Sequence, residues 1–392
     1  MCLYREIKHS VVRLFSFVIK LVVPIKKGRV LCESFGGLQY SCNPKYISEE
    51  ILRSHSDYFQ VIWSFTHPQT SKSVDDGIRI VKKASLKELF YINTSEFLIT
   101  NIRLNNLSWG WQKRPDQKYI MTWHGSMALK RVEFDASSHL PASYMKKAEK
   151  DSQNIDLMLS DSKWCTLFNK TAFHYNGEIL EKGLPRNDIF LQPDTIKQTA
   201  DKVRKFYHIN ENVKILLYAP TFRVDKNIDN YIFRWDSIVS ALKDKFCSDF
   251  IVMIRLHPNM INVVDTAPMM TSPYCIDATR YEDMQELLCA ADVLITDYSS
   301  SMFEFALKKT PCFLYVPDRE TYDRGFYFKL EELPFPLSTD TNSLVNQIQV
   351  FDENKYLDDV NHLFNETFGS FQRPDSSAEV VKWMLERSQK EK

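Results

Sequence analysis

Ala290-Ala-Asp-Val-Leu-Ile-Thr-Asp-Tyr-Ser-Ser-Ser-Met-Phe-Glu-Phe-Ala306, followed by Pro311-Cys-Phe-Leu-Tyr-Val-Pro317, is the stretch on which the fold turns. Asp292 to Thr296 is a short apolar run bounded by acids and reads as a buried strand. Asp297 to Ser301 is a polar turn. Met302 to Leu307 has helical character, and Ser301 with Glu304 spells an S-x-x-E capping box at its start. Cys312 to Val316 is a second buried strand. The result is a β-turn-α-β unit with hydroxyls and backbone N–H groups gathered at a helix N-terminus. Such a terminus favours an anion, a phosphate above all, because the unsatisfied N–H groups and the helix dipole point at it. Capping the helix is the other use of the same serines.

Working outward, short apolar strands alternate with helical segments along the chain. Val30–Ser34, Val61–Phe65, Phe97–Thr100, Tyr119–Thr122 and Asp156–Ser160 read as strands. Ile47–Ser54, Ala142–Asp151 and Lys163–Phe173 read as helices. After a charged helix near 194–207 the pattern restarts with strands Lys214–Ala219 and Phe250–Arg255, and helices Trp235–Phe246 and Glu282–Ala290. Two successive sets of this kind predict two α/β domains with mainly parallel sheets. The expected division is 1–28 for an N-terminal amphipathic helix, 29–205 for an acceptor-side domain and 206–375 for a nucleotide-binding domain. A C-terminal helix over 376–392 can return to the first domain. No repeat or low-complexity segment interrupts the pattern.

Composition narrows the function. The chain has 392 residues, and its 50 basic and 50 acidic residues cancel, which argues against a duplex nucleic-acid binder. No G-x-G-x-x-G, Walker loop or H-E-x-x-H occurs. The eight cysteines (2, 32, 42, 165, 247, 275, 289 and 312) form no C-x-x-C pair, and several lie in apolar runs. They read as small core residues of a reducing compartment. No metal-ligand cluster stands out, so a divalent cation is not indicated.

The N-terminus has its own character. Residues 1–30 carry seven bases against Glu6 alone, a net +6, and Val11 to Val23 is almost wholly apolar. Arg13, Ser16 and Lys20 fall on one helical stripe. The apolar run is short of the ~20 residues a bilayer span needs, and no cleavage-site pattern follows it. A helix lying in the membrane interface with its bases toward anionic lipid is one reading, and a helix packed on the first domain is the other.

In parallel sheets ligands gather beyond the carboxyl ends of strands. His124, followed by Gly125 and Ser126, ends one predicted strand, and an imidazole there suits a general base or a bonded turn. Thr221-Phe-Arg223 and Arg255-Leu-His257-Pro258 end two others. Arg223 and His257 are placed for phosphate oxygens, and Arg223 and Arg255 equally suit surface ion pairs. The Asp297–Ser301 turn is the fourth such feature.

Together these pieces resemble the CDP-glycerol glycerophosphotransferase family, the primases and polymerases of teichoic-acid and capsular polyol-phosphate chains. The resemblance lies in Glu33-Ser-Phe-Gly-Gly-Leu-Gln-Tyr-Ser-Cys-Asn-Pro44, Thr122-Trp-His-Gly-Ser126 with Leu129-Lys130, and Gly177-Glu-Ile-Leu-Glu-Lys-Gly-Leu-Pro-Arg-Asn-Asp188. It continues through Tyr218–Arg223, Arg255–Pro258, Asp292–Ser300 and Arg324-Gly-Phe-Tyr-Phe328. Many members read Trp-His-Gly-Thr-Pro-Leu-Lys; here Met127-Ala128 makes that loop one residue longer.

The resemblance implies two Rossmann-like domains facing a cleft, a glycosyltransferase-B-like fold, attached monotopically to the cytoplasmic face of the membrane. It implies transfer of glycerol phosphate or ribitol phosphate from a CDP-polyol to an acceptor hydroxyl of a lipid-linked polymer, with release of CMP. His124 is then the base. His257, Arg223 and the Ser299–Ser300 turn hold the diphosphate, and Gly125 and Ser126 line the site. Lys130 and Arg186 meet phosphates or stay on the surface. Asp135 or Asp297 orients a histidine, and Glu304 meets the ribose or caps its helix. A glycosyltransferase using a nucleotide sugar, and a polymer-binding subunit without turnover, are the alternatives.

Overall fold

The computed structural model describes residues 2–68, 74–104, 111–222, 234–257, 260, 269–270, 272–322 and 325–389. Arg223, Pro258 and Arg324 of the motifs above lie outside them. In chain order the elements begin with α1 (Cys2–Val22), β1 (Lys26–Glu33), α2 (Cys42–His55), β2 (Gln60–Phe65), β3 (Arg79–Lys82), α3 (Leu86–Thr94), β4 (Ser95–Thr100) and β5 (Lys118–Met121). They continue with α4 (Ala142–Ser152), β6 (Leu157–Ser160), α5 (Lys163–Ala172), β7 (Glu178–Glu181), α6 (Pro193–Tyr207), β8 (Lys214–Ala219), α7 (Trp235–Phe246), β9 (Phe250–Ile254) and β10 (Cys275–Asp277). The remainder are α8 (Met284–Ala290), β11 (Val293–Thr296), α9 (Ser301–Ala306), β12 (Cys312–Tyr315), β13 (Leu337–Ser338), α10 (Thr341–Gln349), α11 (Glu353–His362) and α12 (Ser376–Gln389).

The chain divides into two compact units. The first comprises Met1–His124, Val132–Asp188 and Phe371–Lys392, and the second comprises Gly125–Arg131 and Ile189–Ser370. Each is built on one parallel sheet, with strand orders β3-β2-β1-β4-β5-β6-β7 and β10-β9-β8-β11-β12-β13. The inner strands are apolar on both faces because helices cover both faces of a parallel sheet. In the first unit Val30, Cys32, Trp63, Phe97, Ile120 and Leu157 form a core with Ile47 and Ile51 of α2. Val380, Trp383 and Met384 of α12 pack into that same core. In the second, Leu217, Val252, Leu294 and Phe313 are buried with Ile238 of α7 and Phe303 of α9.

The edge strands are the elements whose sequence gave no strand signal. β3, β7 and β10 each leave most of their side chains at least partly open to water and so lack a continuous apolar run. One local expectation also needs correction. Ser300, not Ser301, precedes the first turn of α9, and its side chain makes no capping hydrogen bond. The Glu304 carboxylate is buried and accepts from Gln285 Nε2 at 2.6 Å.

Helix α1 presents its stripe in an unexpected direction. Ser16 is buried and donates to Asn93 Oδ1 at 2.7 Å, and Lys20 Nζ donates to the Gln112 carbonyl. Burial and the nearby Arg114 lower the Lys20 pKa. Two members of the polar stripe therefore face protein, where fixed acceptors wait for them. Leu14, Phe17 and Leu21 are 62%, 58% and 68% exposed. Among the described residues no helix is long and apolar enough to cross a membrane.

A buried ionic knot ties the segment after β5 to α4. The Arg103 guanidinium reaches Glu133 Oε2 at 2.7 Å, Asp151 Oδ2 at 3.2 Å and the Ala148 carbonyl at 2.9 Å. Tyr144 donates to the other Glu133 oxygen at 2.6 Å. Burial pushes the Asp151 carboxyl up to about 6, against the opposing pull of Arg103.

Candidate functional site

Each sheet reverses its strand order at one point, between β1 and β4 in the first unit and between β8 and β11 in the second. The crevice at such a point is where open α/β sheets take ligands. His124 of the first unit and the Asp297–Ser300 turn of the second lie at or beside it.

In the first unit the last residues of β1, β4 and β5 are neighbours in register. The chain leaving β5 turns sharply, and Trp123 adopts φ +55, a conformation a bulky residue takes only when its surroundings enforce it. The His124 ring lies 3.9 Å from the Trp123 ring and 5.6 Å from Phe35. Its Nδ1 is 3.0 Å from the Asn101 carbonyl, which follows β4. A carbonyl only accepts, so Nδ1 carries the hydrogen and Nε2 carries the ring's basic lone pair.

Arg186 is buried in the first unit and does not stand on its surface. It is 6% exposed, and its Nη1 donates to the His124 carbonyl and to Cys42 Sγ. Asp135 accepts from Thr171 Oγ1 at 3.0 Å. Sequence reasoning missed Asn43 and Asn101 as residues of this centre. The first stood inside a quoted motif, and the second directly follows a strand.

In the second unit Asp297 spans the reversal point. Its buried carboxylate accepts from Thr221 N at 2.9 Å, at the end of β8, and from Tyr298 N at 2.6 Å. It therefore fixes the two loops against each other. Ser299 Oγ and Ser301 Oγ are 2.8 Å apart, and Ser299 and Ser300 are half-buried. Gly125 comes so close to this turn that an added Cβ would stand 3.3 Å from Ser300 Oγ. Ser126 is buried, and its hydroxyl has no partner among the described residues.

The loop from Gly125 to Arg131 is held as an antiparallel clasp. Arg131 N donates to the Gly325 carbonyl and Tyr327 N to the Leu129 carbonyl, each at 2.8 Å, and Lys130 pairs with Phe326. His257, past the end of β9, is exposed to water. Partial desolvation, then the positive charges of Lys130 and Arg255, lower its pKa to about 4, with Asp297 opposing. At neutral pH it is an uncharged imidazole with one N–H to give.

The geometry thus offers an oriented imidazole at one reversal point. In the second unit it offers a second imidazole near a lysine, and a turn of hydroxyls at the reversal point. Comparison with known proteins names the chemistry. The family model of CDP-glycerol:poly(glycerophosphate) glycerophosphotransferase matches residues 15–386. The chain belongs to this family.

A teichoic acid poly(glycerol phosphate) polymerase of Bacillus subtilis is 35% identical over 345 residues, 85% of this chain and 45% of that protein. The chain therefore spans less than half the length of that relative. The polymerase of the same description from Bacillus spizizenii is 30% identical over 95% of this chain and 96% of its own length. Among solved structures, a histidine variant of the wall teichoic acid polymerase TagF soaked with CDPG superposes with a TM-score of 0.84. It is 27% identical, covering 99% of this chain and 97% of that one.

Proposed function

We propose that this member of the family moves a polyol phosphate, glycerol phosphate in first place, from a CDP-polyol to a hydroxyl of a lipid-linked polymer. The observation that supports the reading is the Nδ1–H bond from His124 to the Asn101 carbonyl, which leaves the ring's basic lone pair on Nε2, as a proton acceptor requires. The acceptor oxygen attacks the phosphorus that bears the polyol. A new P–O bond forms, the bond to CMP breaks with its electron pair leaving on CMP, and the hydroxyl proton passes to His124 Nε2. His257, Lys130 and the Ser299–Ser300 turn receive the diphosphate oxygens, with Arg223 assigned to the same task from sequence. The relatives described as glycerol-phosphate polymerases, and the CDPG soak of TagF, support glycerol as the polyol.

The test is release of CMP from CDP-glycerol and from CDP-ribitol with lipid-linked acceptor present. Acceptor-dependent CMP from CDP-glycerol is the expected result. A nucleoside diphosphate released from a nucleotide sugar, with no CMP from either donor, overturns the reading in favour of a glycosyltransferase. In the same assay His257→Gln weakens donor affinity by roughly 10-fold or more, the worth of a hydrogen bond to a charged group. Equal donor affinity in that variant, read by calorimetry, removes the phosphate role.

The reading includes a peripheral position on the cytoplasmic face of the membrane through α1. The outward row Leu14, Phe17 and Leu21 supports it, as does the net +6 of the first thirty positions. Leu14→Asp with Phe17→Asp and Leu21→Asp releases the protein from anionic vesicles in a flotation assay. Unchanged flotation rejects α1 as the contact.

A further inference from the structure

We infer that Asn43 is a positioning residue for the base: its buried side-chain amide, with Arg186, holds the strained Trp123–His124 turn and thereby aims the imidazole. The inference rests on the reading of His124 as the base.

Three consecutive carbonyls leave the end of β5, and each is held by a side chain. Asn43 Nδ2 donates to Thr122 O at 3.2 Å and to Trp123 O at 3.0 Å. Arg186 Nη1 donates to His124 O. The two clamps are joined, because Arg186 N donates to Asn43 Oδ1 at 2.9 Å. That bond also settles which way the amide points. Oδ1 must accept from a backbone N–H, so Nδ2 must face the two carbonyls. Asn43 has no exposed surface, so water does not substitute for either carbonyl contact.

The same place holds a second residue in the left-handed region, Cys42 at φ +63, directly before Asn43. Its sulfur takes the other bond of Arg186 Nη1, at 3.0 Å. Two strained non-glycine turns, far apart in sequence, are thus locked by one amide and one guanidinium. Strained backbone persists where its surroundings over-determine it, and such sites are places of function. Here the strain fixes the ring that follows it. His124 meets the Asn101 carbonyl through Nδ1 only while the turn keeps its shape, and that contact selects Nε2 as the basic nitrogen.

An aspartate at position 43 has the same size and still accepts from Arg186 N, but offers the carbonyls no hydrogen. Asn43→Asp and Asn43→Ala are therefore compared with wild type and His124→Ala on the full chain. The readouts are kcat and KM for acceptor-dependent CMP release, the calorimetric Kd for CDP-glycerol, and the thermal midpoint. We expect kcat to fall roughly 100-fold in both Asn43 variants, the scale of a base displaced by about 1 Å. KM for the donor and Kd should stay within about threefold of wild type.

If the alanine variant does not accumulate as folded protein, the aspartate variant decides alone. Two results overturn the inference: kcat within threefold of wild type, or kcat, Kd and thermal midpoint collapsing together, which marks an ordinary core residue. A wild-type rate in His124→Ala instead overturns the base reading itself. An inactive His124→Ala beside unslowed Asn43 variants removes only the positioning role.

Discussion

His124→Ala lowers acceptor-dependent CMP release by roughly 10²–10⁴-fold, the range a positioned general base supplies, and leaves CDP-glycerol affinity close to wild type. The size follows from the nucleophile. An acceptor hydroxyl loses its proton as it attacks, and without a base in place that proton must go to water. The selectivity follows from where the groups sit. The donor contacts assigned to His257, Lys130 and the Ser299–Ser300 turn belong to the second unit, whereas the His124 ring is fixed by Asn101 of the first. A truncated ring therefore removes a proton acceptor and spares the diphosphate contacts. Turnover and calorimetric Kd measured on one preparation check it. Full turnover in the variant ends the base assignment, and a Kd weakened in step with kcat shows that the ring binds the donor.

Arg103→Ala destabilises the first unit by about 3–5 kcal/mol, the cost of breaking a buried ion pair from one side. The guanidinium is the common partner of Glu133 and Asp151, and among the described residues neither carboxylate pairs with another cation. The loss is pH-dependent. In the wild-type protein Asp151 has a folded pKa of about 6, above the ordinary 3.8. The folded state then binds the proton more tightly than the unfolded state between these values. The cost of burying the ionised carboxylate is absent below about 4, grows as the pH rises through that window, and is complete above about 6.

Removing Arg103 takes away the charge that holds the pKa down, so the folded pKa rises further and the window widens upward. The destabilisation is therefore larger at pH 8 than at pH 5. Chemical denaturation at both pH values, followed by a probe in the first unit, measures this. An equal loss at the two values would show that Asp151 carries no part of it. Arg103→Met keeps much of the packing against Phe173, 5.0 Å from the guanidinium carbon, and separates the charge effect from the cavity.

Much of the architecture was readable from apolar runs, and the reason is burial. β8 and α7 coincide with their expected ranges, and β11 and β12 are each one residue shorter, because those strands lie inside a sheet covered on both sides. β3, β7 and β10 border solvent, so their composition carries no strand signal. The capping box read from Ser301 and Glu304 failed for a tertiary reason: Gln285, on a different helix, takes the glutamate.

The site was legible in part, through residues that end strands. The burial of Arg186 was not legible, because sequence distinguishes a surface arginine from one buried against a carbonyl only when the partner is known. That partner lies 62 positions away in the chain. Asn43 and Asn101 act through backbone groups, and backbone groups leave no mark in a sequence pattern. Ser16 and Lys20 of α1 turn inward to meet Asn93 and Gln112, partners that no local reading supplies.

The interleaving of the two units has a consequence for how the chain is made. α12 supplies Trp383 and Met384 to the core built on β1, β2 and β4. The second unit ends at Ser370, before α12 is synthesised. During translation the second unit can be complete while the first still lacks a wall. At about 5–20 residues per second the ribosome takes roughly 10–40 s to pass from Asp188 to Phe371. For that interval the first sheet waits with an apolar face uncovered, so the nascent chain presents a hydrophobic surface to chaperones until its last helix arrives.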